Sequence, residues 1–153
     1  THKLHSLCYD ATPELTYEAQ RRMREFEVLP RQIEKLAAEV VDAAFRVHKT
    51  LGPGLLESVY GVCLTHELRK RGLKVETQVE LPVVYESVRF ESGFRLDMLV
   101  EEQIIVELKA VETIHPLYEA QLLTYLKLTG KRLGLLINFN VPLIRDGIKR
   151  CIL

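Results

Sequence analysis

Apolar side chains recur at Ile33, Leu36, Ala37, Val40, Val41, Ala44 and Val47, the three-and-four rhythm of a helix with one buried face. That stripe predicts a helix over about residues 31–50. Gly52-Pro53-Gly54 stops it with a turn that needs unusual backbone freedom. A second helix is expected from about Leu55 to Arg71, ended by Gly72, with Leu56, Val59, Tyr60, Cys63, Leu64 and Leu68 facing inward. The rhythm then changes. Residues 73–109 are rich in Val, Leu and Ile and carry stretches of alternation, the period of a strand with one buried face. Breaks at Pro82 and Ser92-Gly93 divide them into three or four antiparallel strands, at about 74–81, 83–90, 94–100 and 103–110. A third helix follows from Pro116 to Thr129, closed by Gly130. Leu133 to Phe139 reads as a short buried strand, and Ile148 to Leu153 as a final one. Helix, helix, antiparallel strands, helix, strand is the order of an α/β sandwich with a mixed sheet.

Upstream, Thr12-Pro13-Glu14 has the makings of a helix start, with Thr12 as cap and Pro13 in the first turn. Leu15, Ala19, Met23 and Phe26 then form a narrow apolar stripe through residues 13–28, flanked by the pairs Glu18–Arg22 and Arg21–Glu25. So narrow a stripe suits a peripheral arm or a subunit contact, which makes self-association an expectation. Pro30 separates this extension, residues 1–30, from a domain of residues 31–153. His2, His5 and Cys8 can be read as a metal trio, but a terminus without periodicity explains them more simply.

Composition leaves the one-domain picture intact: 153 residues, 47% apolar and 27% charged, are ordinary for a globular chain. Charge changes it slightly. The 21 basic and 21 acidic side chains cancel, whereas a non-specific duplex binder carries an excess of Lys and Arg. A bound divalent cation would add positive charge that the count omits. Three cysteines, Cys8, Cys63 and Cys151, are odd in number and lack ligand spacing, which fits a reducing compartment rather than a disulfide framework. No apolar run is long enough to span a bilayer, and the N-terminus has no secretory segment. A soluble cytoplasmic chain without a membrane partner is expected.

The chemistry concentrates in Phe94-Arg-Leu-Asp-Met-Leu-Val-Glu-Glu-Gln-Ile-Ile-Val-Glu-Leu-Lys-Ala110. Two apolar strands flank the polar turn Glu101-Glu102-Gln103, and a hairpin closing there folds Asp97 back towards Glu107. Glu107 and Lys109 share one face, while Leu108 points to the other. Two carboxylates and an ammonium then converge among residues that belong in an interior. One reading is an exposed pair of carboxylates with Lys109 as salt-bridge partner. The other is a site for a hard cation such as Mg²⁺, with Lys109 positioning an anionic nucleophile. Placement beside Ile105, Val106 and Leu108 favours the second, because a buried ionised carboxylate needs a cation and one Lys cannot neutralise two.

Other residues are individually ambiguous. Glu57 near the start of the second helix either complements the helix dipole or contacts a cation or its water. Gln121 and Tyr125 share a helix face; they are a surface pair, or they hydrogen-bond a phosphate or Lys109. His48 and His115 suit capping or surface roles better than general-base roles. Arg69-Lys70-Arg71 with Lys74 is a solvated helix end that could also steer a phosphate backbone.

Taken together, these blocks resemble the GxxExxY protein family, a branch of the PD-(D/E)XK nuclease superfamily. Gly54-Leu-Leu-Glu57-Ser-Val-Tyr60 matches the signature that names the family. His48-Lys-Thr-Leu-Gly-Pro-Gly54, Phe94-Arg-Leu-Asp97, Val106-Glu-Leu-Lys109, Glu119-Ala-Gln-Leu-Leu-Thr-Tyr125 and Leu135-Leu-Ile-Asn-Phe-Asn-Val-Pro-Leu143 follow in order, so the likeness covers nearly all of residues 31–153. One departure is Leu96, where the motif has Pro. The resemblance implies a restriction-endonuclease-like sandwich with a central mixed sheet flanked by helices. It implies that Asp97 and Glu107, with Glu57 from the leading helix, bind Mg²⁺ or Mn²⁺. Lys109 would orient the attacking water or stabilise its hydroxide, and Tyr60, Gln121 and Tyr125 would bind substrate or support the site. The activity implied is hydrolysis of phosphodiester bonds, with DNA as the expected partner. Two rivals use the same scaffold: a catalytically silent binding or assembly module, and a small-molecule phosphodiesterase.

Overall fold

Ile33, Ala37, Val40, Ala44 and Val47 are buried along one side of α1 (Arg31–Leu51), as their spacing requires. The computed structural model describes residues 28–153. The helix expected over 13–28 and the trio His2, His5 and Cys8 lie outside the described residues, apart from Val28. Gly52 and Gly54 carry φ values of 70° and 98°, in the left-handed region that glycine enters without strain. The chain thereby turns into α2 (Glu57–Lys70). Next come β1 (Val75–Tyr85), β2 (Val88–Val100), β3 (Ile104–Lys109), α3 (Pro116–Thr129), β4 (Leu133–Asn138), a 3-10 turn (Ile144–Gly147) and β5 (Ile148–Ile152).

The five strands form one sheet in the order β1-β2-β3-β4-β5. β3 and β4 pair in parallel and every other neighbour is antiparallel. A parallel pair needs a crossover, and α3 supplies it. The central strands are covered on both faces, which is why Leu133-Gly-Leu-Leu-Ile-Asn138 is buried throughout. One core joins Val40, Ala44, Tyr60 and Leu64 to Val106 and Ile137 beneath α1 and α2. The other joins Leu122 and Leu126 of α3 to Leu96, Ile105 and Leu136. Ile105 and Val106 thus serve opposite faces, as strand alternation demands. The result is the expected α/β sandwich with a mixed sheet.

Three strands, rather than four, occupy residues 75–109. Neither Pro82 nor Ser92-Gly93 ends a strand; the turn falls at Glu86-Ser87, between β1 and β2, and Glu86 has φ 52°. Pro82 sits where the register shifts between Leu81 and Val83. A proline lacks an N–H for the ladder, and an edge strand at a bulge tolerates that. Gly93 lies against the same irregularity: a Cβ there would stand 2.4 Å from Val83 Cγ2 and 2.9 Å from Val83 N. The two apparent breaks are one packing device. The inward face of α2 also differs, because the helix begins at Glu57 and leaves Leu56 (74% exposed) and Val59 outside. Buried in their place are Thr65 and Glu67, alongside Tyr60, Leu64 and Leu68. On α1, Val41 is exposed, and Ala43 and His48 are buried.

Candidate active site

The β2–β3 register pairs Met98 with Val106 and Val100 with Ile104, which sets Asp97 across from Glu107. Glu101 and Glu102 close the hairpin at φ 52° and 55°. Pairing of the two strands ends at Met98–Val106, and side chains take over from the ladder just beyond. The Asp97 backbone N–H donates to Glu107 Oε1 at 3.1 Å, and the Leu108 N–H donates to Asp97 Oδ2 at 2.9 Å. Each carboxylate is therefore fixed by the other strand's backbone. The alternation of side chains also breaks here. Val75 belongs to the core under α1 and α2, yet Val79 packs on the core under α3. Between them, Gln78 has φ 52° and lies opposite Asp97 in the register. Such a backbone costs about 1 kcal/mol or more for a residue with a side chain.

Glu107 is only 5% exposed, and among the described residues no salt bridge reaches it or Asp97. Burial, and secondly the charge of Asp97, push the Glu107 carboxyl up to about 8, against the pull of Lys109. Glu57 opens α2 on the rim. It is an exposed residue, but loss of water around its carboxylate and the nearby Asp97 raise its pKa, while Lys109 lowers it. Glu57, Asp97, Glu107 and Lys109 thus share one electrostatic neighbourhood. Lys109 makes no salt bridge among the described residues; its Nζ lies 4.3 Å above the Tyr118 ring. Tyr125 faces the pair from α3, stacked on Phe94 at 5.0 Å. Burial, then Glu107 and Asp97, raise its pKa, so the phenol remains a hydrogen-bond donor.

Two residues lie apart from this group. Tyr60 is fully buried, stacks on Phe139 at 4.5 Å, donates to the Gly52 carbonyl at 2.6 Å and accepts from Leu55 N–H at 3.1 Å. Its hydroxyl holds the turn that delivers Glu57. Gln121 is exposed one helical turn before Tyr125 and takes no part in the bonds around the carboxylates. His115 caps α3, its ring accepting from Leu117 N–H at 3.0 Å. His48 is neither cap nor surface residue by its side chain: the ring is buried and bonds the Val141 carbonyl at 2.8 Å.

Sequence reasoning passed over Asn138. It is 2% exposed, its amide donates to the Val111 carbonyl at 2.8 Å, and its Oδ1 accepts from Val111 and Asn140 N–H at 3.1 and 3.2 Å. Asn138 pairs with Lys109 across the parallel strands, so these bonds fix the chain just beyond Lys109. The available signal was a lone amide inside an apolar run, where an unpaired polar group would be costly.

Among the described residues, no group of three His, Cys, Asp or Glu side chains is close enough to enclose a metal ion. The donor set nevertheless fits a hard divalent cation. Asp97 and Glu107 present oxygens only, side by side, with a burial and repulsion problem that such a cation relieves. A cavity of about 860 Å³ opens beside them, with Glu57, Asp97 and Leu108 among its walls.

A mixed sheet with two helices on one face, a third on the other, and paired carboxylates where two strands diverge defines a restriction-endonuclease-like domain. The family model described as PD-(D/E)XK nuclease superfamily matches residues 34–151, and the chain belongs to that superfamily. No curated protein and no solved structure gives a significant match.

Proposed function

We propose that this chain is a divalent-metal-dependent nuclease of the GxxExxY branch, hydrolysing phosphodiester bonds in DNA. One observation carries the reading: Asp97 and Glu107 are held together in a largely buried place, and among the described residues no cationic side chain is bonded to either. Asp97 and Glu107 would hold Mg²⁺ or Mn²⁺, with Glu57 contributing from the rim. When bound, such a cation would supply polarisation of a phosphoryl oxygen and a lowered pKa for water at the site. The chain's own residues do the rest. Lys109, resting on the Tyr118 ring, orients and stabilises an anionic nucleophile. Tyr125 stays protonated and donates to a phosphate oxygen, with Gln121 available on the same helix face. Tyr60 and Asn138 position Glu57 and Lys109 through the backbone.

The test is incubation with linear, nicked, branched and single-stranded DNA, and with RNA, in Mg²⁺ or Mn²⁺. We expect metal-dependent cleavage by wild type and a loss of about 100-fold or more in Asp97→Ala and Lys109→Ala. Equal inertness of all three proteins would remove the enzymatic reading. That outcome favours a silent binding module, a reading to which the lack of a preformed three-ligand cluster among the described residues lends some weight.

A further inference from the structure

One face of α2 contributes Ser58, Gly61, Val62, Thr65, His66, Arg69 and Lys70 to the cavity beside Asp97. Their spacing is a single helical stripe, so the wall runs about 18 Å along the helix axis. Thr77 and Gln78 of β1 stand opposite, and the buried Met98 and Leu108 close the floor from the core. A volume of about 860 Å³ spread over that length makes a narrow groove. Glu57 and Asp97 mark one end of the stripe, and Arg69 and Lys70 the other.

Two side chains on the stripe lack partners that their surroundings call for. Thr65 is 7% exposed, and its buried Oγ1 has no hydrogen-bond partner among the described residues. Buried hydroxyls are nearly always bonded, and this one lines a cavity. Arg69 spends one N–H on the Val75 carbonyl at 2.8 Å, and among the described residues no carboxylate pairs with it. Its neighbours differ. Lys70 is paired with Glu67 at 2.9 Å, and Arg71 with Glu39 and Asp42 at 2.9 and 2.7 Å. Of the three consecutive cations, Arg69 alone has no carboxylate partner among the described residues.

We infer that this face of α2 is a track for a single nucleic-acid strand, in which Arg69, and the Thr65 hydroxyl once rotated towards the cavity, bind backbone phosphate and lead the strand to Asp97 and Glu107. The inference rests on the nuclease reading and adds a substrate form to it. An acceptor-only, anionic ligand suits an unspent hydroxyl donor and an unpaired guanidinium. A duplex is excluded from the track by width, since its major groove alone is about 12 Å across. Val62, 71% exposed, gives a base apolar surface to rest on.

The test measures binding without cleavage. The full chain carrying Glu107→Gln is titrated with short fluorescent single-stranded and blunt duplex DNA in EDTA, so that no strand is cut. Single-strand DNA should bind tighter than duplex. Adding Arg69→Gln should weaken single-strand binding about tenfold and reduce the steepness of its salt dependence by about 0.7. Adding Thr65→Val, which keeps the side-chain shape, should weaken it several-fold with no fall in melting temperature. Arg69→Lys should preserve the salt dependence, and Lys127→Gln on α3 should change nothing. Binding by either the Arg69→Gln or the Thr65→Val protein that equals that of the Glu107→Gln parent, or preference for duplex, would overturn the track. Because no hydrolysis is involved, either result is independent of whether Asp97 supports cleavage.

Discussion

Glu107 is the residue on which structure and chemistry pull hardest against each other. Its carboxyl ordinarily titrates near 4.5 and is pushed up to about 8, by burial first and Asp97 second. Between those values the folded protein holds a proton that the unfolded chain releases. Stability is therefore fully present at the acid side and lost as pH rises towards 8, with a slope of at most about 1.4 kcal/mol per pH unit for this one group. Glu57, raised by burial, adds to the same trend. Glu67 and Glu34, held low by bonds to Lys70 and Arg150 respectively, lose their contributions only at lower pH and leave this window clear. Urea unfolding in EDTA across this range should show the decline. Glu107→Gln should flatten it while abolishing stabilisation by Mn²⁺. A decline of equal slope in that variant would assign the effect to another group.

At the scale of elements, the β1–β2 hairpin was the part least legible in sequence. Pro82 and Gly93 are ordinary strand breakers when read one at a time; only their apposition across two strands shows that they accommodate one another. Gly93→Ala should cost about 1–3 kcal/mol by forcing a Cβ into Val83. Val83→Ala should recover part of that loss in the double variant, a coupling measurable by chemical denaturation in a double-mutant cycle. Additive losses would mean that the two residues do not share the space. The helices and β4, in contrast, were readable within a residue or two, because periodicity and glycine stops are local signals. The inward face of α2 was not, since Leu56 and Val59 look like core until the helix start at Glu57 places them outside.

For the whole molecule, the candidate site was legible in stages. The hairpin pattern was enough to bring Asp97 to Glu107, because strand pairing converts spacing into apposition. Glu57 and Tyr125 were ambiguous by position and gained their roles from the resemblance, and their electrostatic reach to the pair depends on how three layers stack. Asn138 and Thr65 carry no such pattern; each gains meaning only from burial and from the presence or absence of a bond. Net neutrality was equally uninformative in sum. Acidic partners occupy Lys70, Arg71 and Lys74, whereas Arg69 is left facing the cavity. A charge count averages over that difference.

The central claim is that Asp97 and Glu107 hold a divalent cation. Calorimetric titration of the full chain with Mn²⁺ at neutral pH tests it most directly, with Asp97→Ala and Glu107→Gln as comparisons. Wild type should bind with release of a proton from the site, because the Glu107 carboxyl must ionise to become a ligand, and both variants should show no saturable heat. Saturable binding that survives unchanged in both variants, or none in wild type, would contradict the account.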